Sequence, residues 1–344
     1  MKQNRINNII SDLPVPAYLV TDKHDLFYLT GVELDGFWLL LTKNGFTAFT
    51  SPMFAEQLSE LLPGENVISG KMLLNLLEAY CAKNRVKTIG VDYEKTNLFL
   101  AKGLEKIAPL EDTRNLVMRY RQIKGREEIE LVKRSCKIAV SALKFARKFI
   151  KPGMSEIEMM FKIEEYFAKR HAKPAFPTIV ASGPNSANPH HISSARKIKR
   201  NDVVLVDLGC VKNGYCSDLT RTFILGKIRN PFKEIKALVR EARDQAVKRV
   251  KDGALASDID STARKIISDG GYADYFIHTT GHGLGIEVHE PPRLSAADAT
   301  VLRTGMFVTV EPGIYLPGKF GVRHEDLLLV KEKGNEVMTD DFNG

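Results

Sequence analysis

Cysteine is scarce in this sequence. The four that occur among 344 residues are too few and too scattered for a disulfide scaffold. Cys210 and Cys216 lie six positions apart, which matches no common zinc-binding spacing. We therefore expect buried free thiols in a reducing compartment.

Long apolar runs are also missing. The longest, residues 36–41, is far shorter than the roughly 20 residues that a membrane-spanning helix needs. The first residues (Met-Lys-Gln-Asn-Arg-Ile-Asn-Asn) lack the apolar core of a signal peptide. We expect a soluble, cytoplasmic protein with no membrane partner.

The basic net charge comes without the motifs of nucleic-acid-binding proteins. The net charge is +8, but 42 acidic residues are spread among 50 basic ones. A basic cluster at residues 196–200 is accompanied by no zinc finger, RNA-binding motif or aromatic–basic interleaving. We expect no nucleic-acid partner.

Length and patterning indicate two α/β domains. A chain of 344 residues is long enough for two or three typical domains. Before residue 115, strand-like runs alternate with amphipathic helices, which favours a small α/β domain. The predicted strands cover residues 16–20, 36–41, 46–50 and 88–92, and the predicted helices cover residues 53–62 and 72–83. This region contains His24 but no catalytic constellation, and we place the domains at 1–118 and 119–344.

The second domain contains an internal repeat. A long amphipathic helix over 127–150 stops at Gly153, and a capped helix starts at Ser155. One hundred residues later the same order recurs, with a helix over 231–250, a stop at Gly253 and a helix start at Ser257. The similarity lies in the order of elements, and it predicts a duplicated fold.

Each half continues with a histidine, a strand that ends in a carboxylate, and a second carboxylate. In the first half these are His190, the strand 203–207 ending in Asp207, and Asp218; in the second they are His289, the strand 306–311 ending in Glu311, and Glu325. A pseudo-twofold axis would bring equivalent strands together. We therefore expect Asp207 near Glu311 and Asp218 near Glu325.

Four neighbouring carboxylates indicate a metal centre. Buried together, they repel one another unless protons or cations intervene. Two divalent ions about 3.5–4 Å apart would use four carboxylates and a histidine well, and oxygen-rich ligation with one imidazole suits Mn²⁺, Co²⁺, Fe²⁺ or Zn²⁺. Taken singly, Asp207 and Asp218 also suit turns or caps, and Glu311 precedes a Pro-Gly turn. Their ordered recurrence favours the metal site.

Four motifs resemble those of metallopeptidases with the pita-bread fold. They are Val206-Asp-Leu-Gly with Asn213-Gly-Tyr-Cys-Ser-Asp-Leu-Thr-Arg-Thr, Thr280-Gly-His-Gly-Leu-Gly-Ile-Glu-Val-His-Glu, Glu311-Pro-Gly-Ile-Tyr, and Val322-Arg-His-Glu-Asp. Within that family, the chain is most similar to Xaa-Pro aminopeptidases and Xaa-Pro dipeptidases (prolidases). The resemblance covers residues 176–330. It implies an α/β (α+β) protein whose pita-bread catalytic domain, with a pseudo-twofold duplication, follows a smaller creatinase-like N-terminal domain.

The resemblance also implies a role for each matching residue. The metal ligands would be Asp207, Asp218, His282, Glu311 and Glu325, of which Asp218 and Glu325 would be shared by both ions. Catalysis would fall to His190, His289, Glu311 and Glu325, and substrate contact to His278, Arg323 and Tyr315. We choose His190, which directly follows Pro189 as in the family, and expect no chemistry from His191.

The implied activity is metal-assisted hydrolysis of the Xaa-Pro bond, at the N-terminus of peptides or in dipeptides. The resemblance implies a homodimer with two divalent ions per subunit, with manganese favoured and cobalt, zinc or iron as alternatives. Two other functions stay open: a metal-dependent hydrolase or lyase acting on a small non-peptide substrate, and a non-catalytic binding module. Creatinase-type hydrolases lack the metal carboxylates, which this sequence retains.

Overall fold

A computed structural model describes residues 2–227 and 230–340. The chain divides into two compact units, Met1–Arg121 and Gln122–Gly344. The domain limits at 1–118 and 119–344 stay a sequence-based prediction. Among the described residues, no helix combines the length and the apolar character that crossing a bilayer requires.

The first unit is a six-stranded mixed sheet with helices. Its strands are β1 (Ala17–Val20), β2 (Phe37–Thr42), β3 (Gly45–Thr50), β4 (Asn66–Ser69), β5 (Ile89–Val91) and β6 (Leu110–Asp112), in the order β4-β3-β2-β1-β5-β6. Its helices are α1 (Lys2–Ser11), α2 (Lys23–Thr30), α3 (Ala55–Leu61), α4 (Leu73–Asn84), α5 (Leu98–Leu104) and α6 (Leu116–Arg121). The apolar core contains Leu19, Leu40 and Phe49 of the sheet with Leu77 of α4 and Leu104 of α5.

The sequence predicted the four central strands of this sheet and missed its edges. β4 and β6 are short, and most of their side chains are exposed or half-buried. They therefore carry no apolar run from which a strand can be predicted. The helices α1, α2, α5 and α6 were missed as well.

The second unit consists of two sets of helices and antiparallel strands. Its helices are α7 (Arg126–Phe149), α8 (Glu156–Ala168), α9 (Phe232–Arg249) and α10 (Ala256–Asp269). Its strands are β7 (Lys173–Pro174), β8 (Ile179–Ser182), β9 (Val203–Leu208), β10 (Cys210–Lys212), β11 (Tyr215–Cys216), β12 (Leu219–Ile224), β13 (Gly281–Gly283), β14 (Glu290–Leu294), β15 (Phe307–Val310), β16 (Gly313–Leu316), β17 (Phe320–Arg323), β18 (Asp326–Val330) and β19 (Asn335–Val337).

The two halves of this unit share one framework. In the first half, β9 lies between β8 and β12 and is antiparallel to both; in the second, β15 lies between β13 and β18 and is antiparallel to both. The helices α7 and α8 pack on the first sheet through residues such as Val140, Ile163 and Val204. The helices α9 and α10 pack on the second through Val239, Ile259 and Val308. The predicted duplication is therefore visible in the topology.

The turns before α8 and α10 match in detail. Gly153 and Gly253 adopt positive φ values of 95° and 80°, which glycine adopts without steric cost. Their N–H groups donate to equivalent carbonyls, of Ile198 at 2.8 Å and of Leu302 at 2.9 Å. These are the two glycines that the sequence analysis named as helix stops. The helices themselves end shortly before them, α7 at Phe149 and α9 at Arg249.

The starts of the two helices differ. Ser155 caps α8 as predicted, because its hydroxyl accepts from the Glu158 N–H while its own N–H donates to the Glu158 carboxylate at 2.6 Å. The expected start at Ser257 was wrong, since α10 begins at Ala256 without a side-chain cap. The Ser257 N–H instead donates to a backbone carbonyl, that of Asp298, at 3.1 Å.

Candidate metal centre

A cavity of about 900 Å³ in the second unit gathers the residues that the sequence proposed for the site. Its lining includes His190, Asp207, Asp218, His278, His282, His289, Glu311, Arg323 and Glu325. Tyr315 lies beside it and contacts two of these residues by hydrogen bonds. The structure therefore brings together side chains that are up to 135 positions apart in the sequence.

The first half presents two carboxylates at one end of an antiparallel pair. Asp207 is near the end of β9 and Asp218 directly precedes β12, and the pairing of Asp207 with Thr220 places both at the same end. Both are buried. Among the described residues, one oxygen of each, Oδ1, has no hydrogen-bond partner. Such orphaned buried acceptors are costly unless a ligand satisfies them.

The second half repeats this arrangement with glutamates. Glu311 directly follows β15 and Glu325 directly precedes β18, and the pairing of Val310 with Asp326 places both at one end. The two halves meet here, because the Thr220 hydroxyl donates to Glu325 Oε2 at 2.7 Å and the Glu325 N–H donates to the Thr220 carbonyl at 3.1 Å. The predicted convergence of the four carboxylates is confirmed.

His282 completes the cluster from β13. Its Nδ1 lies 2.9 Å from the Gly283 carbonyl oxygen, which orients Nε2 towards Glu311 Oε1 at 3.4 Å and Asp218 Oδ2 at 3.7 Å. The flanking glycines are required by close backbone approach. A Cβ atom at Gly281 would lie 2.0 Å from the Thr309 carbonyl oxygen, and one at Gly283 would lie 2.2 Å from that of Pro291.

Burial and mutual repulsion set the ionisation of the cluster. Burial, followed by the charges of neighbouring carboxylates, raises the pKa of Asp218 and of Glu325 well above the usual range. Burial and the charge of Asp207 raise the pKa of Glu311 to about 8, against the opposing charge of Arg323. Burial and the nearby His289 lower the pKa of His282 to about 4. His282 is thus neutral near pH 7, which is the metal-ligating form of imidazole.

The donor set fits divalent cations. Arg323 binds Asp207 and supplies one positive charge against four carboxylates. The raised pKa values show that the other carboxylates need protons or a further cation to lie this close together. Asp218, His282 and Glu325 each offer a ligand atom within 4.8 Å of the others. Carboxylate oxygens with one imidazole suit Mn²⁺, Co²⁺, Fe²⁺ or Zn²⁺.

A chain of hydrogen bonds orders the wall of the cavity beside this cluster. Arg323 Nη1 donates to the Tyr315 hydroxyl at 2.8 Å, that hydroxyl lies 2.9 Å from His278 Nε2, and His278 Nδ1 lies 2.7 Å from the Thr279 carbonyl oxygen. The carbonyl can only accept, so the His278 proton is on Nδ1 and Tyr315 donates to Nε2. Burial and the Arg323 charge lower the pKa of His278 to about 4, which agrees with this neutral tautomer.

The two histidines predicted to act in catalysis, His190 and His289, are exposed in the cavity. His190 follows the short helix Gly183–Ala187, and His289 directly precedes β14. The rings of His289 and His282 are 4.4 Å apart between centroids. Burial and the nearby His190 lower the pKa of His289. The two histidines, one from each half, are therefore close enough for the charge of one to affect the other.

Sequence reasoning missed several residues of the cavity lining. Arg293 and Asp298 supply charge, while Met160, Phe176 and Ile192 supply apolar surface. Arg293 is four positions after His289, and that proximity was the available signal. The apolar residues carry no motif. His191 also lines the cavity, but its Nε2 is 2.8 Å from Glu156 Oε2, away from the carboxylate cluster.

Comparisons with known proteins show the family of this chain. Residues 130–332 match the model of metallopeptidase family M24, and residues 2–123 match the creatinase/prolidase N-terminal domain. The chain is 36% identical to an Xaa-Pro dipeptidase of Pyrococcus horikoshii, over 98% of this chain and 96% of the relative.

Solved structures give the same result. An Xaa-Pro dipeptidase from Bacillus anthracis superimposes with a TM-score of 0.94 at 33% identity, covering 100% of this chain and 98% of that one. An X-Pro aminopeptidase from Thermotoga maritima superimposes with a TM-score of 0.90 at 30% identity, covering 98% and 99%. The predicted fold, with its creatinase-like N-terminal domain, is confirmed. The chain therefore belongs to metallopeptidase family M24.

Proposed function

We propose that this protein is a dinuclear metal-dependent exopeptidase that hydrolyses the Xaa-Pro bond of dipeptides or of short peptides with proline in second position. The observation that carries this proposal is the convergence of four carboxylates and a neutral imidazole in one cavity. The names of the relatives, which include Xaa-Pro dipeptidases and an X-Pro aminopeptidase, support the substrate class.

Five residues would hold the ions: Asp207, Asp218, His282, Glu311 and Glu325. Asp218 and Glu325, the second carboxylates of the two halves, would be shared by both ions. Four carboxylates that would be ionised only beside cations support two divalent ions over one, with Mn²⁺ preferred and Co²⁺, Zn²⁺ and Fe²⁺ compatible with the same donors. When bound, such ions polarise a carbonyl oxygen and lower the pKa of water towards neutrality.

The chain's own groups would position the substrate and move protons. His190 and His289, exposed in the cavity, would donate N–H groups to the scissile carbonyl oxygen or the leaving nitrogen. Glu311 or Glu325 would accept a proton from the attacking water and return it to the proline nitrogen, which must be protonated to leave. Arg323, Tyr315 and His278 would form a fixed substrate-facing wall through their hydrogen bonds.

Arg293 supports dipeptides as the main substrates. It lines the cavity on an exposed position of β14, and its charge contributes to the lowered pKa values of His282 and His289. A guanidinium there would attract the carboxylate of a dipeptide, which is one residue from the scissile bond. In longer peptides that carboxylate is farther away.

We also propose a cytoplasmic homodimer. The four cysteines are buried free thiols, which suits a reducing compartment. The dimer rests on the resemblance to the family alone.

The test is a comparison of two substrates after metal exchange. The protein is stripped of metal and reloaded separately with Mn²⁺, Co²⁺ or Zn²⁺, and proline release from Ala-Pro is followed beside alanine release from Ala-Pro-Ala. Faster cleavage of the dipeptide supports a dipeptidase, and faster cleavage of the tripeptide indicates an aminopeptidase. Metal binding with neither product would overturn the peptidase proposal and favour a small non-peptide substrate.

A further inference from the structure

A buried carboxylate accepts hydrogen bonds from both ends of segment 182–194, which carries His190. Glu156, the first residue of α8, is 0% exposed. Its Oε1 accepts from the N–H and the hydroxyl of Ser182, both at 2.7 Å. Its Oε2 accepts from the N–H of Ser194 at 3.2 Å and from its hydroxyl at 2.7 Å. Asn185 donates to both oxygens at 3.1 Å.

His191 joins this carboxylate from inside the segment. Its Nε2 lies 2.8 Å from Glu156 Oε2, and its side chain is 14% exposed. Burial alone would raise the pKa of Glu156, but the hydrogen bonds from Ser182, Ser194 and His191 lower it. The carboxylate is therefore a charged acceptor, and its hydrogen bonds are stronger than those between neutral groups.

His190 itself has no comparable support. Among the described residues, no hydrogen-bond partner holds its imidazole, although its backbone N–H donates to the Asn188 side chain at 3.2 Å. The position of the ring in the cavity thus depends on the backbone that carries it. The adjacent His191 ties this backbone to Glu156, and on the other side of His190 the carbonyl of Pro189 accepts from the buried Arg323 Nη1 at 3.4 Å.

The second half holds His289 in a similar way. The residue after it, Glu290, is buried and accepts from the Ile286 N–H at 3.0 Å and the Glu287 N–H at 3.2 Å. Its other oxygen is 2.8 Å from the buried ammonium of Lys124. In both halves the residue that follows the cavity histidine is therefore tied to a buried charged group.

We propose that Glu156 and His191 are positioning residues that hold His190 in the cavity. The effect on turnover rests on the proposed function, because it requires His190 to act on the substrate. The effect on the position of His190 does not.

The test combines a spectroscopic and a kinetic measurement on the full chain. His191→Leu removes the donor to Glu156, and His191→Gln keeps an N–H donor. Lys197→Gln is the matched control, since it breaks an exposed ion pair with Glu158 on the same helix. In Zn²⁺-loaded protein with ¹³C-labelled histidine, the ring signal of His190 is identified by its loss in His190→Ala. Metal content and Tm are measured for every variant.

We expect His191→Leu to shift or broaden the His190 signal and to lower kcat for Ala-Pro about 10–100-fold with metal content retained, as for other supporting groups. His191→Gln should recover most of this loss, and Lys197→Gln should change neither measurement. In the His190→Ala background, His191→Leu should change kcat by less than about twofold, because the two act through one group.

An unchanged His190 signal in His191→Leu would overturn the proposal, and so would an equal kcat loss with and without His190. If His191→Leu fails to fold, Glu156→Gln, which removes the charged acceptor, decides by the same signal. If the wild-type protein cleaves neither peptide, the proposed function fails, and the His190 signal still tests the positioning.

Discussion

The two halves of the second unit share a framework but fill it differently. In each half, one carboxylate ends a strand and the next precedes its antiparallel partner. The first half contributes aspartates, whereas the second contributes glutamates and the imidazole of His282. The shared framework therefore places the proposed ligands, while the residue types at equivalent positions differ between the two halves.

The position after the second carboxylate shows the difference most clearly. In the first half it is Leu219, fully buried in an apolar core. In the second half it is Asp326, whose carboxylate binds Arg221 at 2.7 Å, Thr339 at 2.6 Å and Arg243. Arg221 belongs to β12 and also donates to the Glu325 carbonyl, so this network fixes the junction between the halves.

The largest expected effect breaks the proposed metal site. Asp218→Asn and Glu325→Gln should each lower metal affinity and kcat/KM by more than the roughly 10–100-fold that supporting groups cost, because each removes a ligand that we propose for both ions. Bound metal is measured after dialysis, together with Ala-Pro hydrolysis. Asp252→Asn, which removes a carboxylate that binds Thr304 and Arg303 at a turn, is the control and should keep both metal binding and activity. Full activity of either ligand variant would contradict the shared role.

The second prediction compares the buried carboxylate of Asp326 with the buried apolar side chain of Leu219 at the equivalent position. Asp326→Ala should reduce the free energy of unfolding by about 3–5 kcal/mol, since it leaves the buried guanidinium of Arg221 without its carboxylate partner. Leu219→Ala should cost about 2–5 kcal/mol through the cavity that it creates. Chemical denaturation measures both.

These two losses should differ in their dependence on pH. Although burial opposes it, the hydrogen bond from His324 and the charges of Arg221 and Arg243 lower the pKa of Asp326. Its contribution is therefore complete above its ordinary pKa and is lost as the pH falls below that value. The difference between Asp326→Ala and wild type should shrink in acid, whereas that for Leu219→Ala should not. Equal pH profiles would show that Asp326 is not ionised in the folded protein.

The third prediction compares the cavity histidines. His289→Ala and His190→Ala should each lower kcat about 100–1000-fold, the range for removing one donor to a developing oxyanion. Metal content should be retained, because neither residue is among the ligands that we propose. Retention of full turnover in His190→Ala would show that the first half contributes no histidine to the reaction.

The smallest expected effect concerns substrate length. Arg293→Met should raise KM for Ala-Pro about tenfold, which is a typical loss for one charge-assisted contact, and should change KM for Ala-Pro-Ala less. Steady-state kinetics on both peptides measure the difference. Equal changes for the two substrates would remove Arg293 from dipeptide recognition.

The sequence was sufficient to predict the carboxylate cluster because each member stands in a motif and recurs in order. Asp207 and Asp218 could therefore be matched with Glu311 and Glu325 before their distances were known. The supporting network could not be predicted in this way. Glu156 and His191 are 35 positions apart, and Arg221 and Asp326 are 105 apart, without a local pattern that links them.

Local signals also failed where backbone contacts from distant segments decided the structure. The Ser257 N–H donates to the Asp298 carbonyl, and α10 starts one residue before the expected Ser257. The edge strands of the first unit pair through their backbones while their side chains stay largely exposed. Pairing of this kind leaves little trace in the apolar pattern.

The most direct test of the account is the number of metal ions bound per chain. Mn²⁺-loaded protein is dialysed, and metal is quantified in the wild type, in Asp207→Asn from the first half and in Glu311→Gln from the second. The account predicts two ions per chain in the wild type and at most one in each variant, because each half supplies a ligand that the other cannot replace. A single ion in the wild type, or two ions retained in both variants, would contradict it.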